Sequence, residues 1–192
     1  MNYFFLSILT AICLGGAFLV AETIASSLLG FIAAIGLVLH TKLPKRNLYR
    51  YFFLTSIFVT LIGFYWIPQT LEIFGEFDSI ISHSLFVLFI LVSSVQWLLT
   101  CFVYQSLRRK FKDTWHLQFP AAWLVGETLL PRMFPWALSH TQIVWRDFSG
   151  LAELFGVEIL SALLLWWASL LVVGFNKELS RKILFSALAI SL

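Results

Sequence analysis

Charge is what this chain has least of. Only 12% of its 192 residues are Asp, Glu, Lys or Arg, about half the share in a soluble globular domain. With 60% hydrophobic residues and a mean hydropathy of +0.90, that excludes an ordinary water-soluble fold, because no single aqueous core hides so much apolar surface. Cysteine is equally scarce. Cys13 and Cys101 both sit inside apolar runs, too few for a disulfide framework and outside any CxxC or Cys/His pattern, so they read as inert packing residues and no metal is expected. No glycine-rich phosphate loop, HExxH or GxSxG is present, and neither catalytic residues nor a cofactor are expected from the residues alone. The four histidines, His40, His83, His116 and His140, are scattered near segment ends and are expected at the interface. A Ser161/His140 pair of the intramembrane-protease kind has no support in its local sequence. The net charge of +3 is no argument for nucleic acid, since position matters more than the sum here.

What remains is long apolar runs, at about 3–21, 24–39, 51–67, 80–103, 117–131 and 151–173, with a partial run at 183–192. A helix crossing a bilayer needs about 20 residues, so the expected fold class is all-α: a polytopic transmembrane helical bundle of six spans plus a truncated seventh. One helix over the first two runs would be far too long for the hydrocarbon, so a tight hairpin is expected at Glu22. No Lys or Arg precedes the first run, which argues for a retained helix over a cleaved signal peptide. Repeats, low-complexity tracts and Gly/Ser linkers are missing, so residues 1–192 read as one membrane domain. Run seven offers only Ile183 to Leu192, about half the hydrocarbon thickness at about 1.5 Å per residue. The chain is therefore expected to continue into a longer protein.

The few charges are ordered. Lys42, Lys45, Arg46 and Arg50 follow run two, Arg108, Arg109, Lys110 and Lys112 follow run four, and Lys177, Arg181 and Lys182 follow run six, so alternate loops hold eleven of the 13 basic residues. The other loops hold Glu22, Glu72, Glu76, Asp78, Asp147 and Glu153 with only Arg132 and Arg146. The positive-inside rule places the basic loops and the N-terminus in the cytoplasm, provided that the short, Pro-bounded run five crosses.

Ionisable groups within membrane segments are candidates for function. Glu127 is the foremost, with Arg132 a possible partner beyond Pro131; Glu153 and Glu158 lie at the outer part of run six. Gln96 and Ser93-Ser94 are expected to bond between helices.

Two stretches carry a resemblance. Gly63-Phe64-Tyr65-Trp66-Ile67-Pro68 ends run three, and Phe119 to Leu163 contains Pro120, Trp123 and Glu127, then Phe134-Pro135-Trp136, then Gly156 and Ser161. In order and spacing these resemble the N-terminal membrane domain of bacterial apolipoprotein N-acyltransferases. The chain departs from that pattern at Leu130 and Met133, where the family usually has Arg and Gly, and at Ala21-Glu22-Thr23, which replaces a Pro/Phe-rich turn. The resemblance implies a multi-pass protein of the bacterial cytoplasmic (inner) membrane. Its partners would be a phospholipid acyl donor and a diacylglyceryl lipoprotein acceptor, and its lipid- or substrate-facing residues would be Trp123, Glu127, Phe134, Pro135, Trp136 and Glu158. It also implies a separate nitrilase-like domain bearing a Glu–Lys–Cys triad, which this sequence lacks, so the chain alone is expected to be inactive. A small-solute transporter subunit and a non-catalytic membrane scaffold are the alternatives.

Overall fold

The computed structural model describes residues 3–111, 114–130 and 136–174, apart from the Trp115 side chain. Run 183–192 and the positions of Arg132, Phe134 and Pro135 lie outside the described residues. Those described are helical without strands, as an apolar surrounding requires of a chain that must pair its own backbone groups.

Helix α1 (Tyr3–Leu19) turns into α2 (Ile24–His40). The turn is the one expected: Glu22 takes a left-handed backbone, φ 64°, and the Thr23 hydroxyl accepts the Ser26 N–H at 3.1 Å to cap α2. Helix α3 (Lys45–Gly63) stops earlier than run three implied, and a short α4 (Ile67–Gly75) leaves it at 50°. Proline explains the new start, because Pro68 in the first turn of α4 has no N–H to leave unpaired. Helix α5 (Ser79–Lys110) runs on through the basic residues, and α6 (Trp115–Leu129) holds Pro120 internally. A 3-10 turn (Leu138–Gln142) and two short helices, α7 (Arg146–Gly150) and α8 (Ala152–Phe155), precede α9 (Val157–Gly174). The sixth run was expected to begin at 151; it begins at Val157 because Gly156, at φ 81° and ψ 156°, occupies a region open essentially to glycine alone.

Six helices close into a ring in the order α1, α2, α9, α6, α5, α3, each packed on its two neighbours. The centre is solid. Phe52 from α3, Trp97 from α5 and Phe119 and Trp123 from α6 meet edge to face at 5.1 to 6.1 Å between ring centres, beside Leu14, Leu37 and Leu165. Cys13 and Cys101 are buried and unbonded to each other. Where α5 and α6 cross, a side chain at Gly126 would strike Thr100; glycine is what lets the two backbones meet. Ser56 donates to Ser94 at 2.8 Å across α3 and α5.

The two ends of the ring differ. Lys42, Lys45, Arg46, Arg50 and Arg108 to Lys110 cluster at one, where the Arg108 guanidinium donates to the Thr41 carbonyl. His40 corrects the expectation of an interfacial histidine. It is fully buried, with Nδ1 donating to the Gly36 carbonyl at 2.7 Å and Nε2 meeting the Ser7 hydroxyl at 3.0 Å, and partners for both nitrogens make that burial tolerable. The opposite, far end carries Glu22, α4 and the 3-10 turn. By length and composition α5 and α9 suffice to cross a membrane, and the bent α3–α4 pair makes a third candidate. Helices α1 and α2 are apolar at 17 residues each.

Candidate lipid-facing site at the far end of the ring

The residues from Trp136 to Trp145 close the far end, and their backbone is held by acceptors from three directions. Ala137 donates its N–H to His140 Nδ1 at 2.8 Å, Leu138 to Glu127 Oε1 at 3.2 Å, and Ser139 to Ser161 Oγ at 3.0 Å. These are the donors that a helical turn leaves without partners at its start. A carboxylate suits that place, because it accepts strongly and complements the positive end of the turn. Glu127, 2% exposed, is thus drawn inward by a structural bond between α6 and the turn. Ser161 reaches the same turn from α9, and the Ser139 hydroxyl returns to the Val157 carbonyl at 2.8 Å.

A second set of bonds ties the turn to α2. The Ser27 hydroxyl donates to Gln142 Oε1 at 2.7 Å, the Gln142 amide donates to the Ser27 carbonyl at 3.1 Å, and the Trp145 indole donates to the Ser27 hydroxyl at 2.7 Å. Ahead of the turn, half-buried Trp136 stands edge-on to Phe18 of α1 at 5.0 Å and tilted to Phe64 at 5.6 Å. Phe64 in turn meets Phe89 of α5 at 5.5 Å. The two stretches that carry the resemblance, remote in sequence, therefore touch through Phe64 and Trp136.

The expected site residues divide. Trp136 and Glu127 come together at the turn. Glu158, half-buried in the first turn of α9, sets its carboxylate over Gly156. Trp123, 1% exposed, packs on Trp97 in the ring centre. Glu127 is buried beside the turn. Phe134 and Pro135 lie outside the described residues. Sequence reasoning missed Ser27, Ser139, Gln142 and Trp145, for which the only signal was a polar run, Ser139 to Gln142, between two apolar segments.

His140 Nδ1 and Ser161 Oγ, imagined as a protease pair, are both engaged with backbone N–H groups of the turn. Among the described residues no group of His, Cys, Asp and Glu is arranged to hold a metal. What the geometry does is fix where Trp136 stands at the mouth of the ring.

Comparison with curated proteins returns no match. A family model does match: the apolipoprotein N-acyltransferase N-terminal domain, over residues 5–170, which takes in four helices of the ring whole, most of α1 and α9, and the turn that closes it. This chain belongs to the family of apolipoprotein N-acyltransferase N-terminal domains.

Proposed function

We propose that this chain is the membrane portion of an apolipoprotein N-acyltransferase of the bacterial inner membrane. In this reading α1, α2, α3, α5, α6 and α9 are its six crossings and its basic end faces the cytoplasm. The observation that carries the proposal is the meeting of Phe64 and Trp136 at 5.6 Å, on a turn pinned by Glu127, His140 and Ser161. At 17 residues α1 and α2 reach the lower limit for a span. Helix α6, with 15 residues, is shorter, and its place in the ring between α5 and α9 supports its crossing. The basic loops support the orientation.

The reaction is split into two acyl transfers, as nucleophilic catalysis allows. A cysteine thiolate of the nitrilase-like domain displaces the lyso-phospholipid alkoxide from the donor's ester and becomes a thioester. The α-amino group of the acceptor's diacylglyceryl-cysteine then displaces that thiolate, forming the amide and releasing a proton. The membrane portion contributes by holding lipid and Trp136 below the reacting groups; Phe134, Pro135, Trp136 and Glu158 are the residues proposed to face lipid or substrate. The aromatic packing of Phe52, Trp97, Phe119 and Trp123 across the ring centre, which fills the path a solute would take, supports this reading over the transporter alternative.

The test is acylation in cells depleted of their own enzyme and supplied with this chain joined to a nitrilase-like domain. Lipoprotein N-termini should gain a third acyl chain by mass spectrometry, and Trp136→Ala should reduce that gain without reducing membrane insertion. Diacylated lipoprotein alone, with the protein inserted and folded, overturns the proposal.

A further inference from the structure

Helix α3 carries two different surfaces. Leu48, Phe52, Ser56 and Val59 turn into the ring and are buried. Arg46, Arg50, Phe53, Leu54, Ile57 and Leu61 share the opposite side at helical spacing and are half-buried or exposed. This outer strip changes character along its length. It starts with two guanidinium groups four positions apart, a spacing that sets like charges side by side and costs stability unless an anion joins them. From Arg50 to Leu61 the strip is apolar, over about 16 Å at about 1.5 Å per residue. That is about half of a hydrocarbon core of about 30 Å, the depth of one leaflet.

The surroundings of the arginine pair are of one sign. Seven described basic side chains are exposed at this end of the ring, Arg46 and Arg50 among them, and every described carboxylate, from Glu22 to Glu158, belongs to the far end. The Arg108 guanidinium donates to the Thr41 carbonyl at 3.5 Å, which adds the charges at the end of α5 to those at the start of α3. The Arg50 guanidinium stands over the Tyr51 ring, 5.9 Å from its centre. Such a contact holds the group without engaging its N–H donors in a hydrogen bond, and a guanidinium fork suits phosphate oxygens. The occupant that matches both parts of the strip is an anion with an apolar tail. A soluble anion leaves the apolar part unused. A zwitterionic lipid brings its own cation into a field that is already positive.

We propose that the outer face of α3 seats an anionic phospholipid of the leaflet at the basic end. Its phosphate lies between Arg46 and Arg50, and one acyl chain follows Leu54, Ile57 and Leu61. This end is opposite the candidate site, so the lipid is a resident ligand separate from any acyl donor. The seat rests on α3 crossing the membrane and is independent of acyl transfer. The test uses the full chain in phosphatidylcholine vesicles with a trace of phosphatidylglycerol bearing a mid-chain diazirine, or of phosphatidylcholine bearing the same chain. Photolysis should label residues 53–61 several-fold more from the phosphatidylglycerol probe, and the far-end part of α2 around Ile24 and Leu28 equally from both. Arg50→Gln leaves six of the seven cations in place and should remove most of the excess. Lys45→Gln removes the same charge from another side of α3 and should cost far less. Should Arg50→Gln not accumulate, Arg46→Gln takes its place in that comparison. No excess in the unsubstituted protein overturns the seat, and so does equal loss in the two variants, which means a diffuse attraction. Sodium phosphate should displace no more label than sodium chloride of the same ionic strength; stronger displacement means a site for free phosphate and overturns the lipid. Label from neither probe on any helix overturns the membrane crossing itself, and the seat with it.

Discussion

The ring centre and the far-end turn are held together by opposite means. The centre, from Phe52 through Trp97 to Trp123, is joined mainly by close aromatic packing, with buried hydroxyls such as Ser56, Ser94 and Thr100 around it. The turn from Trp136 to Trp145 has little regular structure and is fixed by named hydrogen bonds to α2, α6 and α9. In a membrane the hydrophobic effect does not distinguish inside from outside, so helices associate by shape and by scattered polar bonds. Shape suffices for the centre, where many contacts share the work. The turn has few contacts, and each bond sets the direction of one backbone group, so a small loss there displaces Trp136 without unfolding the ring.

That contrast can be broken at several points, the largest effect first. Trp123→Ala empties the centre and should cost about 3–5 kcal/mol, read as a fall in the thermal midpoint of the purified protein with the turn's bonds unaltered. A change below about 1 kcal/mol, well under the usual cost of such a cavity, would mean the centre is not packed as described. Glu127→Ala removes the acceptor for Leu138 and should cost about 1–3 kcal/mol for a buried donor left alone. Its signature is local: faster amide exchange at Leu138, with α1 and α3 unchanged. Ser161→Ala should act similarly on Ser139 at about 1 kcal/mol. Ser56→Ala, within the ring, should do least, about 0.6 kcal/mol as for interhelical bonds in other membrane proteins, and should leave acylation untouched.

The same contrast explains what could be read beforehand. The helices of the ring follow from their apolar runs, and the α1–α2 hairpin from the length of the first two runs and the charge at Glu22. Helix α4 did not, because Ile67 to Gly75 mixes Gln69, Thr70 and Glu72 with apolar residues and is too short for a clear period. The start of α9 was not legible in the apolar run, which begins at 151; the positive φ at Gly156 is what moves it to Val157. The burial of Trp123 could not be read beforehand, because the resemblance that singled it out does not say which face of α6 turns into the ring. The turn was illegible for another reason. Its bonds join Leu138 to Glu127, Ser139 to Ser161 and Gln142 to Ser27, pairs that only the closed ring brings together.

Amide hydrogen exchange at Ala137, Leu138 and Ser139, in the unsubstituted protein and in Glu127→Ala, tests the pinned turn most directly. The account predicts slow exchange at all three in the unsubstituted protein, despite their place outside any long helix. It predicts selective loss of protection at Leu138 when Glu127 is removed. Fast exchange at these amides in the unsubstituted protein would contradict it, for then nothing holds Trp136 at the mouth of the ring.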